Sequence, residues 1–113
     1  MDNMIIVNLT PHAINAHVEG GVVDIPASGM VARVACHRTQ AAKLNGIPTY
    51  SITYGTVEGF PDPQPDHVYI VSKLVAAAIV ARELYPGVII VTPGSLIRNE
   101  QGQPIGCDGF DLA

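Results

Sequence analysis

Two short polar corners carry the residue types suited to holding a charged ligand. Ser72-Lys73 follows the apolar run 68–71, and Thr92-Pro93-Gly94-Ser95 follows the apolar run 88–91. Each corner offers a hydroxyl beside backbone amides, and Lys73 adds a cation. Lys73 falls near the first position of an expected helix, where its charge opposes the positive end of the macrodipole. An anion such as a phosphate or carboxylate, seated between the lysine and the free amides, resolves that opposition. The plainer alternative makes Ser72 an N-cap and Lys73 a solvated side chain.

Other groups could support such a site. In Thr10-Pro11-His12 the histidine is the candidate general acid or base, or a hydrogen-bond donor to a ligand. Read as structure, the same triplet marks a strand corner with His12 partly exposed. Arg33 and Arg38 carry the planar fork that grips anions, although pairing with the chain's excess carboxylates is the commoner fate. Tyr54, before Gly55, offers a ring to stack on a base or sugar, or else a core tyrosine. A paired nucleophile and base at Cys36-His37 is excluded by geometry, because adjacent strand residues point to opposite faces. The four histidines share no ligand spacing, and GxGxxG, GxxxxGK[ST], GxSxG and HExxH are absent. No catalytic set, metal or cofactor is read from these residues. His12 alone remains as a general base for a minimal enzyme.

The elements that must position these groups are clearest between His67 and Gly94. Residues 68–71 are β-branched and aromatic, 74–84 run without a breaker, and 88–91 are again β-branched. Strand, helix, strand is the simplest reading, and a crossover of this length joins parallel strands. Tyr85-Pro86-Gly87 is the expected helix stop. If the two strands are neighbours, the serine-lysine and threonine-proline-glycine corners face each other at their carboxyl ends, where ligands collect in open sheets.

Further strands are expected at residues 4–9, 13–18, 22–25, 30–36, 47–54 and 103–107, with turns at Glu19-Gly20-Gly21 and Asn45-Gly46. Residues 37–44 read as a helical turn or a polar loop, and 108–113 as a tail. Three alternating prolines in 59–66 favour an extended course, serving as a rigid strap or as a recognition ligand. The expected fold is α+β (mixed α/β), in one domain spanning 1–113. It has a small, mostly antiparallel sheet or partial barrel, one β-α-β crossover and a single main helix.

Composition narrows the partners. Hydrophobic residues make up 48% and charged residues 14%, and the net charge is −4 with six Lys and Arg. That balance argues against nucleic acid and against an anionic membrane surface. No apolar run approaches the roughly 20 residues of a spanning helix, and Met1-Asp2-Asn3 lacks a basic leader. Cys36 and Cys107 read as reduced, buried small hydrophobes, which places the chain in the cytoplasm. Within 74–84 only Arg82 and Glu83 are polar, so the helix must be covered on more than one side, by the β-rich part or by a second subunit.

Asn8-Leu9-Thr10-Pro11-His12, Ile25-Pro26-Ala27-Ser28-Gly29 with Ala32-Arg33-Val34, and Tyr54-Gly55-Thr56-Val57-Glu58-Gly59 form a pattern with two further segments. These are Pro61-Asp62-Pro63-Gln64-Pro65 with Tyr69-Ile70-Val71-Ser72, and Arg98-Asn99-Glu100-Gln101-Gly102. Together they resemble a family of short proteins of tailed phages, prophages and some bacteria, over nearly the whole chain. The resemblance implies an intracellular accessory role and favours binding over catalysis, but brings no catalytic residue with it. The resulting expectation is a phage-type accessory protein that binds a small anionic ligand, a nucleotide or phosphorylated metabolite. Its site residues would be Thr10, His12, Arg33, Tyr54, Ser72, Lys73, Thr92, Gly94 and Ser95. The alternative is an interaction module for a host protein, and a homo-oligomer through helix 74–84 is compatible with either.

Overall fold

Residues Val68, Ile70 and Val91 point to one side of a sheet while Tyr69, Val71 and Ile90 point to the other, and both sides are covered. This is the period-two alternation of strands buried on both faces. In this computed structural model, which describes residues 4–113, the strands are β6 (His67–Ile70) and β7 (Ile89–Pro93), joined through helix α1 (Lys73–Ala81). They are hydrogen-bonded neighbours and parallel, with Ile70 opposite Val91. The opening Met1-Asp2-Asn3 lies outside the described residues.

The main sheet is completed by β1 (Ile5–Asn8), parallel to β6, and by β10 (Phe110–Leu112), antiparallel to β7, in the order β1-β6-β7-β10. One face packs on α1, where Tyr69, Val71 and Ile90 meet Val75, Ala78 and Ile79. The other face packs on a second sheet. Its strands are β2 (Ile14–Val18), β3 (Gly21–Ile25), β8 (Leu96–Arg98) and β9 (Pro104–Cys107), in the order β3-β2-β9-β8. Ile14, Ala16, Ile25 and Cys107 close this second core over Ile70 and Val91. Each fully buried side chain of this size contributes on the order of 2 kcal/mol. The result is α+β, three layers deep, and among the described residues there is one α-helix and no sheet closes into a barrel.

A third unit, β4 (Arg33–Gln40) paired with β5 (Tyr50–Glu58), is a long antiparallel hairpin. Ala32, Val34, Tyr54 and Val57 root it in the helix-side core. Beyond them the hairpin stands away from the body as an arm. The radius of gyration is accordingly 16.6 Å, against about 13 Å for a compact chain of this length.

Several sequence expectations change. Residues 37–40 continue strand β4, so His37 and Arg38 lie in mid-strand and not at a strand end. Tyr54-Gly55 is likewise inside β5, beside a bulge at Val34/Cys36, and the strand runs on to Glu58. The tail 108–113 contains β10, and three pairings are parallel, not one: β1-β6, β6-β7 and β2-β9. Cys107 is buried, whereas Cys36 is exposed on the arm; both are free thiols. Nothing local to Ile5 announces a partner as distant along the chain as His67, which is why the β1-β6 pairing escapes a window-based reading.

The helix stops at Ala81, short of the expected 84, by its own hydrogen bonds. The Glu83 amide donates to the Val80 carbonyl and the Leu84 amide to Ile79, with Glu83 at φ 53°. This is the left-handed C-cap that glycine fills without strain. Glu83→Gly is therefore expected to stabilise the fold by about 0.5–1 kcal/mol, read as a higher urea midpoint at unchanged slope. A lower midpoint would mean that the glutamate side chain contributes more than its backbone strain costs.

Candidate functional site

Lys73 is the first helical residue after Ser72, whose hydroxyl accepts from the Val75 amide at 3.3 Å and so caps the helix. Thr92 lies one residue beyond Val91 on the adjacent strand. Its side chain points to the helix face by the same alternation that buries Ile90. The crossover thus sets the two corners side by side, with the Val71 amide bonded to the Val91 carbonyl at 3.0 Å.

Between them opens a recess of about 520 Å³. Lys73 stands at its helix N-terminal end, Thr92 and Asp111 on the wall made by β7 and β10, and Tyr54 on the side formed by β5. Ala76, Ala77, Val80 and Ala81 of α1 make an apolar floor. The small alanines leave the space that larger side chains would fill. Arg82 secures the arm alongside, its guanidinium donating to the Gly55 carbonyl at 2.6 Å. Thr92 is 6% exposed and its side chain lines the recess. A threonine hydroxyl so placed can donate to, and accept from, a bound molecule.

The other candidates go elsewhere. Thr10, Arg33 and Ser72 line a smaller recess of about 210 Å³ on the opposite flank of the helix start. The Thr10 hydroxyl is already engaged, donating to Asn8 Oδ1 at 2.6 Å. Arg33 is exposed and lies opposite Glu58 in the hairpin ladder. His12 is exposed and lines none of these recesses; its carbonyl accepts from the Asn8 amide and the Thr10 hydroxyl. The amides of Gly94 and Ser95, expected to face an anion, instead donate to the Gly109 carbonyl (2.8 Å) and Asp108 Oδ1 (2.9 Å). A Cβ on Gly94 would collide with both of those partners, so this glycine serves close packing of the 108–109 turn.

Two participants were missed. Asp111 enters the recess because β10 pairs with β7, placing it opposite Thr92; the Phe110-Asp111-Leu112 alternation after Asp108-Gly109 was the available signal. Asn8, buried at 1% exposure, is the polar hub of the Thr10-Pro11-His12 corner. Its amide donates to the His12 and Ile25 carbonyls, while its oxygen accepts from the Thr10 amide and hydroxyl. Among the described residues no group of His, Cys, Asp or Glu could hold a metal ion, and no helix is long and apolar enough to cross a membrane.

Fold and recess together define a small α+β domain with an open recess along the flank of α1, beside the β7-β10 edge of its main sheet, with Lys73 and Thr92 at the carboxyl end of the parallel strands. Comparison with protein-family models, with curated proteins and with solved structures finds no match to this chain.

Proposed function

We propose that this chain binds a small molecule combining an apolar or planar body with an anionic group, such as a nucleotide or phosphorylated metabolite. The observation that carries the reading is the convergence of Tyr54, Lys73 and Thr92, from three separate segments, on one recess. The alanine floor accepts the apolar body and Tyr54 offers a ring edge or face to it. Lys73 supplies the counter-charge, and Thr92 a hydrogen bond that fixes orientation. Such a combination, mostly apolar with a few placed polar groups, is what small-molecule sites share. Asp111 opposes a second negative charge on the same wall and so favours a ligand whose anionic end is confined to the lysine side.

The sequence resemblance to short phage and prophage proteins is in keeping with an intracellular accessory role of this kind, with binding and not turnover as the activity. His12 lies outside the recess, so the minimal-enzyme reading, which rests on His12 as general base, draws no support from this site. A protein-interaction role draws support from a different feature, the projecting arm.

Thermal-shift screening against nucleotides and sugar phosphates is expected to raise the melting temperature by several degrees for the true ligand class at about 100-fold excess over Kd. Lys73→Ala should remove most of that shift while leaving the unliganded melting temperature within about a degree, since Lys73 is exposed. A shift that survives Lys73→Ala would place the ligand elsewhere.

A further inference from the structure

The tip of the arm is built differently from the ladder beneath it. The β4-β5 pairing ends at Gln40 opposite Tyr50, followed by a bond from the Ala41 amide to the Thr49 carbonyl. Pro48 has no amide proton and cannot carry the ladder further. Beyond it the chain turns at Asn45-Gly46, closed by the isolated pair of Leu44 and Ile47, which exchange two bonds of 2.9 Å. Asn45 at φ 50° and Gly46 at φ 79° are both left-handed, as a two-residue type I′ turn requires. The two closing bonds use the amides of Leu44 and Ile47, so the Gly46 amide takes no part in them. Residues 41–48 are all exposed, and the space beside Gly46 is open.

We propose that Asn45 is a self-modification site, where the side-chain carboxamide closes on the Gly46 amide and is then hydrolysed by water. The Gly46 nitrogen, its proton taken up by solvent, attacks Cγ of Asn45. A nitrogen–Cγ bond forms, the Cγ–Nδ2 bond breaks, and the nitrogen leaves as ammonia with a proton returned from solvent. Water then opens the five-membered imide at either carbonyl, giving aspartate or isoaspartate, and nothing is oxidised or reduced. Glycine suits the second position because it has no Cβ to hinder ring closure.

Of the five asparagines only Asn45 precedes a glycine. Asn8 is buried with its carboxamide held on both atoms. The Asn99 oxygen accepts from the Gln101 and Gln103 amides, and its nitrogen donates to the Gln103 side chain. The turn itself sets the pace at Asn45. Ring closure needs a more extended ψ there than a type I′ turn supplies, so the tip must first open. Opening gives up the two Leu44-Ile47 bonds and the bond from the Thr49 hydroxyl to the Ala42 carbonyl. No buried side chain moves with them, which places this opening at the low-stability end of the molecule.

The product alters the arm in two ways. Residues 36–54 hold Arg38 and Lys43 and no carboxylate, so a new carboxylate lowers that segment from +2 to +1. Isoaspartate also adds a methylene to the main chain of a two-residue loop, whose length fixes the hairpin register. The Leu44-Ile47 closure is then lost, and the arm carries a mark of the chain's age.

The test is peptide mapping of the full chain after about two weeks at 37 °C and neutral pH, beside a free peptide of residues 41–49. Trypsin releases residues 44–73, in which Asn45 is the sole asparagine. That fragment is expected to gain about one mass unit and to separate into aspartyl and isoaspartyl forms. The converted share should exceed that at any other asparagine of the chain and fall below that of the free peptide, where no hairpin has to open. Asn45→Gly keeps a turn-compatible residue and should leave the fragment unmodified. An unchanged 44–73 fragment at a time when the free peptide has converted would overturn the inference. So would a mass gain that persists in Asn45→Gly, which would place the reaction at another residue.

Discussion

Asn8→Ala is expected to cost about 2–3 kcal/mol of global stability, a large effect for a polar substitution. Asn8 is buried, and its side chain satisfies two carbonyls, an amide and a hydroxyl at the corner where the chain leaves β1 for β2. Truncation strands the Ile25 carbonyl and the Thr10 amide, each costing on the order of 1 kcal/mol, and removes a buried side chain, while the Thr10 hydroxyl and the His12 carbonyl keep each other. Because the Asn8 carbonyl also accepts from the Ser28 hydroxyl and amide, loosening the corner disturbs the 26–32 connection that leads to the arm. Domains of this size hold only about 5–15 kcal/mol in reserve, so the variant should melt well below the wild type. Asn8→Asp is expected to fare no better, since a carboxylate would face the two carbonyls. Urea titration gives the answer; a loss below about 1 kcal/mol would mean that water replaces the asparagine at little cost.

Tyr69→Ala is expected to cost about 3–5 kcal/mol. Tyr69 is 1% exposed, in the middle of the central strand β6. Its ring lies 5.0 Å from Phe60, which stacks on Tyr85 at 4.2 Å, and its hydroxyl accepts from the Gln64 amide at 2.9 Å. Removing it leaves a cavity between sheet and helix and also takes one side-chain anchor to the strand from the proline segment, residues 59–66, leaving the contact of the His67 ring with the Pro65 carbonyl. Tyr69→Phe separates the two contributions, and should cost about 1 kcal/mol, the net value of one hydrogen bond. Equal losses for the two variants would show that the hydroxyl, and not the ring, is what matters at this position.

The proline segment illustrates what the sequence could convey and what it could not. Its alternating prolines favour an extended course, and in the structure residues 60–64 lie outside helix and strand, with Phe60 packed on Tyr69 and the Gln64 amide donating to the Tyr69 hydroxyl. Likewise the β-branched runs on either side of an alanine-rich helix fixed the crossover, because local periodicity encodes both elements and chirality limits how they connect. The corners bearing Lys73 and Thr92 were legible for that reason. Asp111 was not, since its place depends on β10 returning to β7 from the far end of the chain. Nor was the length of the arm: His37, Arg38 and Gln40 carry no strong strand preference, and the ladder opposite Thr53, Ile52 and Tyr50 decides their conformation. The helix posed a choice between wrapping and a second subunit. The sheet covers its buried side, and the opposite side stays open in the single chain.

The central proposal, that Tyr54, Lys73 and Thr92 form one binding site, is tested most directly by amide chemical-shift mapping. The isotopically labelled chain would be titrated with the best nucleotide or sugar phosphate from the thermal screen. The account predicts saturable shifts clustered at residues 73–77, 91–93, 54–55 and 110–113, with His12 and the 94–95 amides little changed. Saturable shifts centred on His12, Arg33 or the 59–66 segment, with the recess silent, would contradict it.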